Sequence, residues 1–171
     1  MQNEGHPLSR YNVKSDDERP NTFLFETAHA ASYEVRFKPS GYLFPDEPSL
    51  EPHVYELIIA LLDNPSGQSP PNDPLLPPTI AYVLSQFLAQ NERVIVYICD
   101  SSDGRGAARQ RKFYGWFEAY KGVLFSKMDN KLLDHSGAYY YTSLIVRNDN
   151  PQLATIFLAF HRLIAGYNEE K

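Results

Sequence analysis

The stretch CDSSDGRGAARQRKFYGWF, residues 99–117, gathers more chemistry than any other part of the chain. It holds the only cysteine, Cys99, then Asp100 and Asp103, the glycines Gly104 and Gly106, the cations Arg105, Arg109, Arg111 and Lys112, and the only tryptophan, Trp116. An apolar strand, RVIVYI, leads into it, and a helix follows the polar loop. The first turn of a helix has unpaired N–H groups and a partial positive charge, so such a junction can bind an anion. Glycines there let a ligand approach the backbone.

The same residues also fit a purely structural corner. Asp103 stands just before Gly104, placed to cap the helix for about 1 kcal/mol. Asp100 is within reach of Arg105 or Arg109. At 100° per residue, Phe113, Trp116, Phe117 and Tyr120 form the inward stripe, and Arg109 falls within about 30° of its centre. An arginine there is costly unless paired, so Arg109 is expected to be buried against Asp100 or Asp103. Asp100, Asp103 and Arg109 are thus the expected cap and ion pair. Arg105 and Lys112 flank the stripe on the side of Trp116, while Arg111 points away. Arg105, Lys112 and Trp116 are the expected binding residues, able to hold an anionic ligand or an acidic protein surface by charge and stacking.

Two short patterns suggest enzymes. Cys99 and Arg105, with five residues between them, are similar to the phosphate loop of cysteine-dependent phosphatases. That resemblance implies Cys99 as nucleophile and Arg105 as phosphate clamp. The sequence departs from it at Ile98, where tyrosine phosphatases have histidine, and at Gly106, where a hydroxyl usually follows. Asp100 and Asp103 would also oppose the depressed thiol pKa that a nucleophile needs, and would repel a dianionic substrate. Cys99 reads more simply as a small buried hydrophobe. The run SDGRG is similar to the acetyl-CoA loop of acetyltransferases, but Ser101 replaces the leading Gln or Arg and the strand order fits poorly. Binding is therefore the first reading, a phosphatase-like hydrolase the second, and nucleic-acid binding the third.

CDSSDGRGAARQRKFYGWF, together with YEVRF, VYELII and NPQLATIFLAF, resembles an uncharacterised family of small bacterial proteins from about residue 11 onward. The resemblance implies a bacterial single-domain protein and transfers no activity.

Other patterns are excluded. His6, His29, His53, His135 and His161 lack metal-ligand spacing, and one cysteine cannot supplement them. Neither a metal nor a cofactor is expected, and Asp134 beside His135 is a neighbour pair, not a dyad. No G-x-S-x-G elbow, Walker loop or H-E-x-x-H helix occurs. A net charge of -5 argues against wholesale binding of nucleic acid or anionic membrane. No apolar run approaches the roughly 18 residues of a membrane span. The start MQNEGHPLSR is polar, and a lone cysteine forms no internal disulfide, so a cytoplasmic protein is expected. Its partner is an unnamed protein or a small anion, and its oligomeric state is left open.

The elements that position this stretch are legible in outline. The 171 residues, 43% apolar, suit one domain. Residues 1–20 read as a polar, partly flexible tail, with 21–171 as a single α+β domain. TFLFET and SYEVRFK alternate with period two and form half-buried antiparallel strands. HVYELIIALLD is apolar on both faces and reads as a more central strand. Residues 64–78 form a proline-rich surface loop that cannot be helix or inner strand. TIAYVLSQFLAQNE carries a helical stripe of Ile80, Val83, Leu84, Phe87 and Leu88. The second helix should run from Gly104 or Arg105 to about Tyr120. VLFSKM and AYYYTSLIVR read as strands, with turns in DNKLLDHSG. Tyr139 and Tyr141 share a face with Ser143 and Ile145, and Tyr140 takes the other. A last helix is expected with Asn150 as N-cap and Pro151 at its first helical position, burying Leu153, Ile156, Phe157, Phe160 and Ile164. The expected fold is α+β: an antiparallel or mixed sheet of about five to seven strands with about three helices on it.

Overall fold

Alternating strands need covers for their apolar faces, and helices with one apolar stripe supply them. The computed structural model describes residues 9–99, 103–133 and 136–169, with side chains up to 166. The strands are β1 (Lys14–Ser15), β2 (Thr22–Glu26), β3 (Ser32–Pro39), β4 (Val54–Asp63), β5 (Val94–Cys99), β6 (Phe125–Leu133) and β7 (Tyr139–Arg147). The helices are α1 (Leu76–Phe87), α2 (Gly106–Tyr120) and α3 (Leu153–Glu169). The protein is an α+β fold with one mixed seven-stranded sheet in the order β1-β2-β3-β4-β5-β7-β6. All neighbours are antiparallel except β4 and β5, which are joined through α1 and run parallel.

The helices divide between the two faces of the sheet. α1 and α2 cover one, where Phe25, Val35, Phe37, Leu57 and Ile95 meet Ile80, Val83, Phe87, Phe113 and Phe117. At its centre Phe37 stacks on Phe87 with ring centroids 3.7 Å apart, and Tyr55 meets Phe87 edge-on. Each such buried ring contributes about 1.5–3 kcal/mol. α3 covers the other face, packing Ile156, Phe160 and Ile164 on Val54, Val94, Val96, Leu144 and Val146. Phe44 and Leu50, from the link between β3 and β4, complete that second core. β5 is buried on both sides because it lies between the two layers.

Several expectations shift at element ends. α1 starts at Leu76, so Pro77 and Pro78 belong to the helix and not to the proline-rich loop. Proline fits the first helical turn because those N–H groups have no helical partner anyway. Residues 129–133 continue β6 through the segment expected to turn. Asn150 Oδ1 accepts the N–H of Gln152 at 2.8 Å, and α3 begins two residues beyond Pro151. The expected polar tail is tied down within its described part. Tyr11 stacks on Phe25, donates its hydroxyl to Asp73 at 2.7 Å and accepts the N–H of Ala28 at 3.1 Å.

Candidate functional site

The site is built where β4 and β5 end. Their parallel ladder covers only Val54–Glu56 against Val94–Val96. Past it β4 runs on to Asp63 beside β3, and β5 runs on to Cys99 beside β7. The two strands part, leaving a wedge between the main chains of residues 57–60 and 97–99 that no ladder bond crosses. The side chains of Ile58, Ile59, Tyr97 and Ile98 are half-buried along it. Crevices at the carboxyl ends of parallel strands are where open sheets take ligands, because the loops diverge there.

α1 and α2 both begin at this end of the sheet, but their first turns differ. Pro77 and Pro78 carry no N–H, so the start of α1 offers few donors. In α2 the first helical bond runs from the Arg109 N–H to the Arg105 carbonyl at 3.0 Å, leaving the amides of Gly106, Ala107 and Ala108 without helical partners. Gly104 sits at φ 75°, a backbone region that glycine adopts without strain.

Asp103 and Arg109 form the ion pair that braces this loop. The guanidinium donates to both carboxylate oxygens, at 2.9 and 2.6 Å, in the bidentate geometry that makes such pairs strong. Asp103 Oδ1 also accepts the Arg105 N–H at 3.0 Å. The Arg109 hydrogen bonds, then the Arg105 amide, hold the Asp103 carboxyl below the usual range. Two expectations are corrected. The N-cap residue is Arg105, and Asp103 serves it from two positions earlier. Arg109 is not buried: its side chain is 41% exposed and that of Asp103 44%. The helical wheel places Arg109 over the stripe, but a long arginine stem can lie along the surface while its guanidinium stays in solvent. Asp100 lies outside the described residues, as do Asp134 and His135.

Cys99 is only 2% exposed. Burial pushes its thiol up, against the hydrogen bond from the Tyr97 hydroxyl and the charges of Lys127 and Arg109. Tyr97 is likewise pushed up, chiefly by burial and then by Cys99. A nucleophilic cysteine needs the opposite shift and an open sulfur. Arg105 is exposed, and Lys112 stands 5.1 Å from the ring of half-buried Trp116. These three residues lie along one side of α2, with Arg105 two turns before Lys112.

Sequence reasoning missed the residues under α2. Lys127 of β6 has a side chain only 4% exposed, pairs with Asp129, and lies 4.8 Å from the ring of Tyr114 and 5.8 Å from that of Phe117. Asp129 also accepts the Ser143 hydroxyl at 2.5 Å. The signal was present: Lys127, Asp129 and Lys131 alternate with Met128 and Asn130, so one strand face is charged. Lys131 faces the rings of Tyr141 and Tyr139, at 5.2 and 5.5 Å. Among the described residues no three His, Cys, Asp or Glu side chains stand together as a metal site. Among those residues, too, no helix is long and apolar enough to cross a membrane.

Comparison with known proteins gives one match, to the model of a family of unknown function (DUF6169), over residues 72–162. The match spans α1 to most of α3, a shorter range than the resemblance from residue 11 suggested. No curated protein and no solved structure matches the chain.

Proposed function

The chain belongs to this family of unknown function (DUF6169), which carries no activity to inherit, and we propose that it is a non-enzymatic binding protein whose site is the corner at residues 100–116. The observation that carries this reading is the parting of β4 from β5, which opens unladdered main chain beside that corner. A ligand that fills the wedge must satisfy strand-edge amides and carbonyls, so it is an extended molecule with amide groups of its own. Its other end is negative, because Arg105 is exposed and the first-turn amides of α2 have no helical partners beside it. Lys112 and Trp116 extend the contact for a larger ligand or a protein surface. Acidic peptides and phosphopantetheine compounds both combine linear amides with an anionic end.

Binding is preferred over catalysis because the one cysteine is buried and its thiol is pushed up. A free, buried thiol suits a reducing compartment, so we place the protein in the cytoplasm. The test is a titration of the labelled protein with coenzyme A and with an acidic tetrapeptide, followed by amide NMR. Shifts at residues 57–60, 97–99 and 106–108 that vanish in Arg105→Glu are expected for one of the two probes. If neither probe moves those amides, or if Arg105→Glu leaves the shifts unchanged, the reading fails.

A further inference from the structure

A second surface lies on the outer side of α1 and α2, away from the wedge. α1 carries no charged residue. Residues 105–121 carry Arg105, Arg109, Arg111, Lys112 and Lys121 against Glu118 alone, in a chain whose net charge is -5. Between the helices runs an apolar groove walled by half-buried Ala81, Leu84, Trp116 and Tyr120, with buried Leu88 and Ile145 beneath it. A cavity of about 50 Å³ opens into it, room for the tip of one apolar side chain. Trp116, the largest side chain of α2, is left half-buried at the rim, with Lys112 over its ring. Among the described residues Lys112 has no carboxylate partner, and Lys121 is held only by an exposed pair with Glu118, which contributes little and exchanges readily.

We propose that this groove docks an acidic amphipathic α-helix of a partner protein. The shape selects a helix: the trough is bounded by two helices, offers no strand edge, and α1 is about 18 Å long, which matches three turns. The charge selects acid: Lys121 lines the α2 wall, Lys112 lies over Trp116 at the rim, and α1 has no charge to oppose them. A second copy of this chain does not supply the occupant, since α1 is uncharged, α2 is basic, and α3 has no acidic residue before Glu169. A membrane is a poorer fit because a concave groove buries little of itself on a flat surface. The groove shares Lys112 and Trp116 with the outer end of the corner, but its occupant needs no ligand in the wedge.

The test uses the full chain and a labelled synthetic peptide of five turns, with Leu on one helical face and Glu elsewhere. Trp116 is the only tryptophan, so its emission reports directly on the groove. The expected result is a blue shift of Trp116 with a rise in peptide anisotropy. Ala81→Arg, on the groove wall, should weaken binding at least about tenfold, and Lys112→Glu by about three- to tenfold with a flatter salt dependence. Circular dichroism checks that both variants fold, and Ala81→Arg, which lies outside the corner, should leave the ligand shifts at the wedge unchanged. The proposal is overturned if the acidic peptide does not bind, if a Lys-for-Glu or face-shuffled peptide binds equally well, or if Ala81→Arg has no effect. It is also overturned if Trp116 responds to phosphatidylglycerol vesicles, or to protein concentration alone, but not to the peptide.

Discussion

Lys127 carries its charge almost out of solvent, beneath the rings of Tyr114 and Phe117 and against Asp129. A buried charge persists only where its partner and the surrounding rings replace the lost water. Among the described residues, removing it leaves Asp129 with the Ser143 hydroxyl alone. Lys127→Ala should therefore destabilise the protein by about 2–3 kcal/mol, below the cost of breaking a fully buried pair because Asp129 is partly open. Lys127→Met, which keeps the stem under the rings, should cost less. Urea denaturation of both variants decides it. A loss within about 0.5 kcal/mol for Lys127→Ala would mean the pair contributes nothing beyond a surface contact. By contrast Asp103 and Arg109 pair in the open, and their hydrogen bonds order the loop more than they stabilise the fold.

At the scale of elements, the link between β3 and β4 shows how little slack the second core has. Two short 3₁₀ turns, Gly41–Leu43 and Glu51–His53, lie against each other there. A Cβ added at Gly41 would sit 2.4 Å from the Glu51 carbonyl oxygen and 2.7 Å from its Cα. That is backbone and cannot swing away. Gly41→Ala should force the turns apart, loosen Phe44 and Leu50, and cost roughly 1–3 kcal/mol. A lowered urea midpoint with an unchanged slope is the expected measurement. An unchanged midpoint would show that the two turns are free to separate. The helices were more readable than such contacts. The stripes on α1 and α3 sit where period 3.6 puts them, with Ile80, Val83, Phe87, Ile156 and Phe160 all buried. Their boundaries were less so, because a proline at the first turn looks like loop sequence until the chain before it is seen to turn.

For the whole molecule, the family match and the fold do not coincide. The match begins at residue 72, yet β5 pairs with β4, and Phe87 of α1 packs on Phe37 and Tyr55, all earlier in the chain. The matched segment alone would expose one edge of β5 and half of the first core. A fragment of residues 72–162 should show no cooperative thermal unfolding by circular dichroism, whereas the full chain should show one transition. A cooperative melt from the fragment would show that the first four strands are an addition and not part of the core. The corner at residues 99–117 was legible as a charged strand–loop–helix junction because its residue types and spacing are local. Which of its cations would be paired was not, since a wheel gives direction around a helix and not how far a long side chain reaches from it. Strand alternation, the helical stripes and the basic character of α2 were determined by the sequence alone, because periods of 2 and 3.6 are properties of the backbone. The order of the strands, the parting of β4 from β5, the burial of Lys127 and the groove beside Trp116 were decided only by the tertiary structure. Each depends on which distant segments become neighbours, and that is set by the packing of the whole chain.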